Sequence, residues 1–453
     1  VPNQWISRGS RQSRPDLLYA LDPLGDQTFF FTSAVSKLPQ NAYKYKVGVY
    51  PHRSYIWGGP SNDGDGLCEG VAQLFDILQN APPPNANPLP MLAAPAMDNA
   101  TLAAVADAYE AALLPNELLE YDLPVELRTL AEKWNRLEID IIANNGANFD
   151  ASISLLDADG TVTQLGNIRI TFDLSRPDRI TWTAAHLNAP QANLQLQSEA
   201  IDIINSRRSW LKVWFESGHA LVDQRLFTSR LRDARFDYCF TDFAGFNVKA
   251  EKPTPLTVPN IGAQTSLFCW VRNRWHRGLP QAGHVSGWLA CNDGSMEIAD
   301  FIHFDQLNGQ SELTLIHVKG SKSGAANRLL SVADYEIVVG QAIKNLRFVD
   351  LQNTMANFTA FLNQKLMNAS WHAGVVDTRA NMLAAMNSGG APPRKRIVVV
   401  QPRTRQTALN VARAVGANAK QAMIAKQLDT LLLAARANCQ NLGAELVVVV
   451  DQT

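Results

Sequence analysis

Asn308-Gly309 is the feature of this sequence that most restricts how the chain can fold. Asn-Gly between two apolar runs signals a two-residue hairpin loop, because a type I′ turn needs φ > 0 at both central positions. The flanking runs, ADFIHFDQL and QSELTLIHVK, then become antiparallel strands with Leu307 opposite Gln310. Counting outward sets Asp300 opposite His317, with Cβ atoms about 4.5–5.5 Å apart. Side chains alternate along a strand, so His317 and Lys319 share that face while Phe301, Ile316 and Val318 share the other. One face gathers an acid, an imidazole and an ammonium group; the other is apolar.

SVADYEIVVGQAIKNLRFV (331–349) follows as a helix. Ser331 can cap it, with Asp334 completing an approximate capping box. Val332, Tyr335, Val338, Val339, Ala342 and Leu346 make its apolar stripe, and Gln341, Lys344 and Arg347 lie on an adjacent face. The loop between strand and helix is basic. It contains GSKSG but lacks the Walker A spacing, which argues against an ATP site.

An Asp at the end of one strand, a turn, a second strand ending in Val-Lys and then a helix resemble the PD-(D/E)xK nuclease superfamily over Met296–Arg347. The resemblance implies an α/β (α+β) protein with a restriction-endonuclease-like core, a mixed sheet flanked by helices. It implies Asp300 as a metal-binding acid and Lys319 as the lysine that steers or polarises the attacking water. His317 falls where the superfamily normally has Glu. Imidazole favours softer ions than magnesium, so Mn2+ as well as Mg2+ is an expected cofactor. Gln341 matches a helix position where related nucleases carry a polar or basic group. Glu297 becomes a further metal ligand if the strand end twists or bulges. The first core helix of the superfamily often adds another acid. None lies between Gln264 and Ala290, which leaves His276 or His284 as replacements.

The activity so implied is metal-dependent phosphodiester hydrolysis of nucleic acid, with DNA expected, in a restriction, repair or antiviral assembly. A helicase or other ATPase is the expected protein partner. The alternative is an inactive nuclease-like fold used as a nucleic-acid-binding or structural assembly module.

A formal net charge of -1 makes any nucleic-acid path a local basic surface and not a property of the whole chain. Arg272 and Arg274 in TSLFCWVRNRW (a buried strand or short helix), Lys322 in the loop and Lys344 on the helix are the expected phosphate contacts. A second strip interleaves Arg207, Arg208, Lys212, Arg225, Arg230, Arg232 and Arg235 with Trp210, Trp214 and Phe227, a composition suited to backbone contact and base stacking. Five cysteines without paired spacing point to a reducing cytoplasm. No apolar run approaches the ~18 residues of a membrane span. The first residue is Val and not Met, as expected of a processed product, an unobserved start or one part of a longer polypeptide.

Four regions are expected. Residues 1–143 form a mixed or helical N-terminal domain, with 99–142 read as helical and the proline-rich 81–96 as a spacer. Residues 144–250 form an antiparallel β-rich domain that includes ANLQLQS as a strand. Residues 251–350 form the nuclease-like core, and 351–453 a helical and small α/β C-terminal region.

Overall fold

The computed structural model describes residues 104–115, 124–157, 159–175, 179–229, 234–293, 298–307, 310–350, 370–388 and 393–453. It also describes short pieces at 34–36, 47–50, 55–58, 64–66, 68–69, 72, 93–95, 359 and 362. Two compact units make up the chain: Val1–Tyr19 with Phe29–Met91, and Ala20–Thr28 with Leu92–Thr453. In the first, Ala34–Ser36, Val47–Tyr50 and Tyr55–Gly58 form a three-stranded antiparallel sheet.

The second unit holds two large sheets. The antiparallel one contains β1 (Ala93–Pro95), β2 (Ala108–Leu113), β3 (Leu137–Asn145), β4 (Asn148–Leu156), β5 (Val162–Asp173), β6 (Thr181–Asn188), β7 (Leu211–Phe215), β8 (His219–Val222) and β9 (Arg225–Ser229). Their order is β1-β9-β8-β7-β2-β3-β4-β5-β6. Helices α1 (Val125–Trp134) and α2 (Leu194–Ser206) cover one face, where Trp134, Ala200 and Ile204 meet Leu113, Ile139 and Ile153.

Three sequence expectations change here. The segment expected to be helical contains β2, a central strand buried on both faces, so packing overrides the helix propensity of its alanines. Beyond α1 the chain turns into β3, where buried Leu137 and Ile139 alternate with Glu138 and Asp140; the helix-like spacing of Trp134, Leu137 and Ile141 straddles two elements. ANLQLQS opens α2 and is not a strand: Gln197, Ala200, Ile201 and Ile204 are buried at three-to-four spacing. The proline-rich stretch contributes β1, and Pro95 is tolerated because β1 is an edge strand.

The expected basic and aromatic strip is not a stacking surface. Trp210, Trp214 and Lys212 are at most 1% exposed. Lys212 is ion-paired to Glu336, and Arg230 and Arg232 lie outside the described residues.

The mixed sheet contains β10 (Cys239–Thr241), β11 (Trp288–Cys291), β12 (Phe301–Leu307), β13 (Gln310–Val318), β14 (Ser370–His372), β15 (Val375–Asp377), β16 (Arg394–Arg405) and β17 (Ala444–Asp451). Their order is β10-β17-β16-β13-β12-β11-β14-β15. From β10 to β13 neighbours run parallel; from β13 to β15 they are antiparallel. Residues 251–350 and 351–453 thus give strands to one sheet. TSLFCWVRNRW forms a helix: α3 (Val258–Ala263) and α4 (Leu267–Arg274) lie on one face, where Phe268 packs edge-on to Phe301. The other face carries α5 (Ala333–Asp350) and α8 (Ala419–Asn441), with α6 (Arg379–Asn387) and α7 (Gln406–Arg413) beside them.

Helix α5 is the centre of the second unit. Ser331 caps it as expected, its Oγ accepting the Asp334 N–H at 3.1 Å. A second cap comes from the antiparallel sheet: Glu110 of β2 accepts the Val332 N–H at 2.9 Å. The expected stripe is buried, and so is nearly every other side of the helix. Tyr335, Val338 and Ala342 belong to one apolar cluster with Leu313 and Leu315 of the mixed sheet and Ala112 and Trp214 of the antiparallel sheet. A helix apolar all round is one covered on all sides. Here two sheets sandwich it.

Candidate functional site

The hairpin has the expected register. Pairs run from Leu307↔Gln310 to Phe301↔Ile316, and one step further sets Asp300 across from His317. Phe301, Ile316 and Val318 join Phe268 and Trp270 in the core under α4, so His317, between Ile316 and Val318, belongs to the α5 side; Asp300 and Lys319 lie just beyond the two strands. Asp300 Oδ2 accepts the Val318 backbone N–H at 2.7 Å, closing the ladder where β12 begins. Asn345 Nδ2 donates to Ile298 O at 2.6 Å and ties α5 to the same strand end. Gln341 lies one helical turn before Asn345, and Lys344 immediately before it on an adjacent side; both are half-buried.

His317 is 2% exposed, and its Nε2 has no hydrogen-bond partner among the described residues. Burial, aided by the Lys344 charge, pushes its imidazolium down to about 3. The ring is therefore neutral at physiological pH, as a metal ligand must be.

Lys319, at the end of β13, is half-buried and forms an ion pair with Glu251 at 2.8 Å. Glu251 Oε2 also accepts the Gly320 N–H at 3.3 Å. Burial acts to raise the Glu251 carboxyl, but the ammonium groups of Lys319 and Lys252 outweigh it and hold the group below its usual range. Lys252 bridges both Asp293 oxygens at 3.0 Å and is further raised by the charges of Glu251 and Asp300. Charges thus alternate from Lys319 through Glu251 and Lys252 to Asp293 and Asp300.

The strap bearing Glu251 is fixed by main-chain contacts. Leu267 and Phe268 at the start of α4 donate to Ala250 O and Glu251 O, at 2.9 and 3.1 Å. On the other side Ser321 donates to Val248 O at 2.8 Å. Residue 320 must be Gly, since a Cβ there would stand 2.7 Å from Lys249 O. The β4–β5 turn presses on the same strap: Gly160, at φ +86, would bring a Cβ within 3.3 Å of Ala250 N.

An open cleft of about 630 Å³, solvent included, lies beside Lys319. Lys249, Lys252, Lys319, Lys322 and Arg136 line it, against Asp157, Glu251 and Asp334. Arg403 extends the basic rim, 3.7 Å from Asp334. A chain of net charge -1 therefore concentrates cations at the end of β13.

Of the expected site residues, Lys319 and Lys322 line the cleft, Asp300 accepts the neighbouring Val318 N–H, and the Lys344 charge acts on His317; Asp300, His317, Gln341 and Lys344 are not among the residues lining the cleft. Arg272 and Arg274 are elsewhere: they end α4 on the opposite face, where Arg272 donates to Gly374 O at 3.2 Å and Arg274 covers Phe246. Glu297 lies outside the described residues. His276 and His284 do not replace a missing ligand. Their rings stand 5.7 Å apart at the far end of β13, where the neighbouring Arg277 O meets Arg396, itself paired to Glu312. Five residues of strand at about 3.3 Å each separate Glu312 from His317.

Sequence reasoning missed Glu251 because it searched from Gln264 onward. The acid sits 68 positions before Lys319, and only the docking of its strap on α4 reveals it. The sole local signal is its place in the run KAEK.

Among the described residues no three His, Cys, Asp or Glu side chains converge to hold a metal. His317 Nε2 is nevertheless a buried neutral nitrogen without a partner among the described residues, and the Asp300 carboxylate lies across the hairpin end on the Val318 N–H. That N,O donor set suits Mn2+ better than Mg2+. No family model, curated protein or solved structure matches the chain.

Proposed function

We propose that the chain carries a PD-(D/E)xK-like core over residues 251–350 and hydrolyses phosphodiester bonds of nucleic acid, DNA foremost, with a divalent ion. The observation that carries this reading is the contrast at one strand end: Lys319 opens onto a cationic cleft while His317, two residues earlier, is sealed beneath α5.

Asp300 and His317 would hold the ion, Mn2+ before Mg2+, and the ion would polarise the phosphate and acidify water. Lys319 directs its ammonium at the phosphoryl oxygens as negative charge develops there. Glu251 aims that ammonium. Lys249, Lys252, Lys322 and Arg136 neutralise the flanking phosphates. Gln341 and Lys344 stand on the α5 face turned to the hairpin, where Gln341 orients a water or phosphate oxygen. A cytoplasmic location suits five cysteines held as free thiols. A motor ATPase remains the proposed partner, and no helix among the described residues is long and apolar enough to cross a membrane.

A second reading, a nucleic-acid-binding module without hydrolysis, is favoured by two contacts. Lys319 is already paired to Glu251, and Asp300 Oδ2 already accepts a backbone N–H. Labelled DNA incubated with Mn2+, Mg2+ or EDTA separates the two. The hydrolytic reading expects cleavage with Mn2+ that Lys319→Ala removes. Binding in EDTA with no cleavage under either metal selects the module.

A further inference from the structure

We propose that the Lys252 ammonium is the resident counter-ion of the acidic strand end, and that a divalent ion reaches Asp300 only in competition with it. This rests on the hydrolytic reading and adds the regulation of its metal site. Asp293 follows β11 by two residues and Asp300 precedes β12 by one, so both acids stand at the same end of paired strands. The Asn292 N–H donates to Asp300 O at 2.8 Å and continues that pairing between them. Lys252 Nζ reaches both Asp293 oxygens, at 3.0 Å each. Burial acts to lower its ammonium, but the charges of Asp293, Glu251 and Asp300 outweigh that and raise it. The Cys291 thiol, pushed up by burial, also feels Asp293, Asp300 and Lys252. Two groups on different segments thus register the same charges.

Charge balance then sets what else this end can hold. Lys319 and Lys252 face Glu251, Asp293 and Asp300, two ammonium groups against three carboxylates. One negative charge is left over, less than a divalent ion needs. With Lys252 turned away the excess doubles and matches such an ion. Ammonium and ion repel each other where burial limits screening, so they do not share Asp300 at full strength. Lys252 has somewhere to go. Phe268 clamps its strap through Glu251 O, but the lysine side chain itself is 30% exposed and lines the cleft beside Lys319. A phosphate in that cleft would draw the ammonium off Asp293 and favour the ion. By linkage the ion favours the phosphate equally.

Mn2+ titration of the full chain, read by the electron paramagnetic resonance signal of the free ion, tests this apart from activity. Lys252→Met should bind Mn2+ about tenfold tighter than wild type, while Lys252→Arg, which keeps the charge, should match wild type. Adding Asp300→Asn to Lys252→Met should abolish the gain. Lys420→Met, which removes one positive charge from the Glu216 pair on α8, should leave the affinity as it is. Asp293→Asn leaves Lys252 in place but frees its ammonium for Asp300, and should weaken Mn2+ binding. An affinity that Lys252→Met leaves unchanged overturns the proposal, as does an equal gain from Lys420→Met or an Asp293→Asn protein that binds as wild type does. Mn2+-dependent cleavage of labelled DNA is measured in parallel. Cleavage without any effect of Lys252 on binding sinks only the competition. An effect of Lys252 without cleavage sinks the hydrolytic reading and leaves Lys252 as keeper of an ion site. No Mn2+ binding by any of these proteins overturns both.

Discussion

Two Lys–Glu pairs, Lys212–Glu336 and Lys319–Glu251, join distant parts of this chain and differ in almost everything else. The first links β7 to α5 across 124 positions, with side chains 1% and 0% exposed. The second links the end of β13 to the strap before α3, with side chains 28% and 20% exposed. Burial dominates at Glu336 and raises its carboxyl despite Lys212, whereas Lys319 and Lys252 outweigh burial at Glu251 and lower it. The sealed pair fastens one sheet to the central helix. The open pair faces a cleft, where the proposed hydrolysis has Lys319 exchange Glu251 for a phosphate. Exposure, more than the residue types, separates a structural ion pair from a functional one.

The largest expected effect is on the sealed pair. Lys212→Met should cost about 3–5 kcal/mol in urea unfolding, because it leaves Glu336 buried without a counter-charge. Adding Glu336→Leu should recover most of that loss. If Lys212→Met were no more costly than Lys319→Met, the comparison would fail. Next comes Gly320→Ala, which should lose about 1–3 kcal/mol by pushing a Cβ against the strap carbonyl. It should also loosen only the open pair, visible as faster amide exchange in the segment bearing Glu251.

Smaller effects follow from pH. Glu251 is depressed when folded, so its contribution is present above the ordinary Glu value of 4.5 and is lost as pH falls through the folded value. Glu336 is raised, so its contribution is full below 4.5 and is lost as pH rises through its higher folded value. Stability differences between wild type and Glu251→Gln, or wild type and Glu336→Gln, should slope in opposite directions across this region. Parallel slopes would remove the distinction between the pairs. His317 is depressed when folded, so its contribution is full above the ordinary value of 6.5 and is lost as pH falls from there toward about 3. The wild type should therefore lose stability below pH 6.5 relative to His317→Gln, and equal slopes for the two proteins in urea unfolding would contradict its neutral state.

The hairpin was legible because its information is local. Asn308-Gly309 predicts the register that is found, from Leu307↔Gln310 to Phe301↔Ile316. The α5 stripe was legible for the same reason, as were the apolar strands β16 and β17. What the sequence hid depends on long-range packing. Ala108–Leu113 has the composition of a helix and becomes a strand only because layers cover both its faces. Leu194–Ser206 opens with a strand-like alternation that its later buried residues override. The second face of α5 was invisible, since a stripe shows where one partner packs and not that a second sheet waits opposite. Glu251 was hidden similarly, because nothing in KAEK reveals that α4 and the 320–321 loop trap it against Lys319.

The central claim is that Lys319 acts on phosphate through the open cleft, and single-turnover cleavage of labelled DNA in Mn2+ by wild type and Lys319→Ala tests it most directly. Thermal melting of both proteins is the control, since a half-exposed pair contributes no more than about 1 kcal/mol. The expected result is cleavage by wild type, a loss of about 10²–10³ in rate for the variant, and closely similar melting. Equal rates for the two proteins, or no cleavage by wild type in any divalent metal, would contradict it.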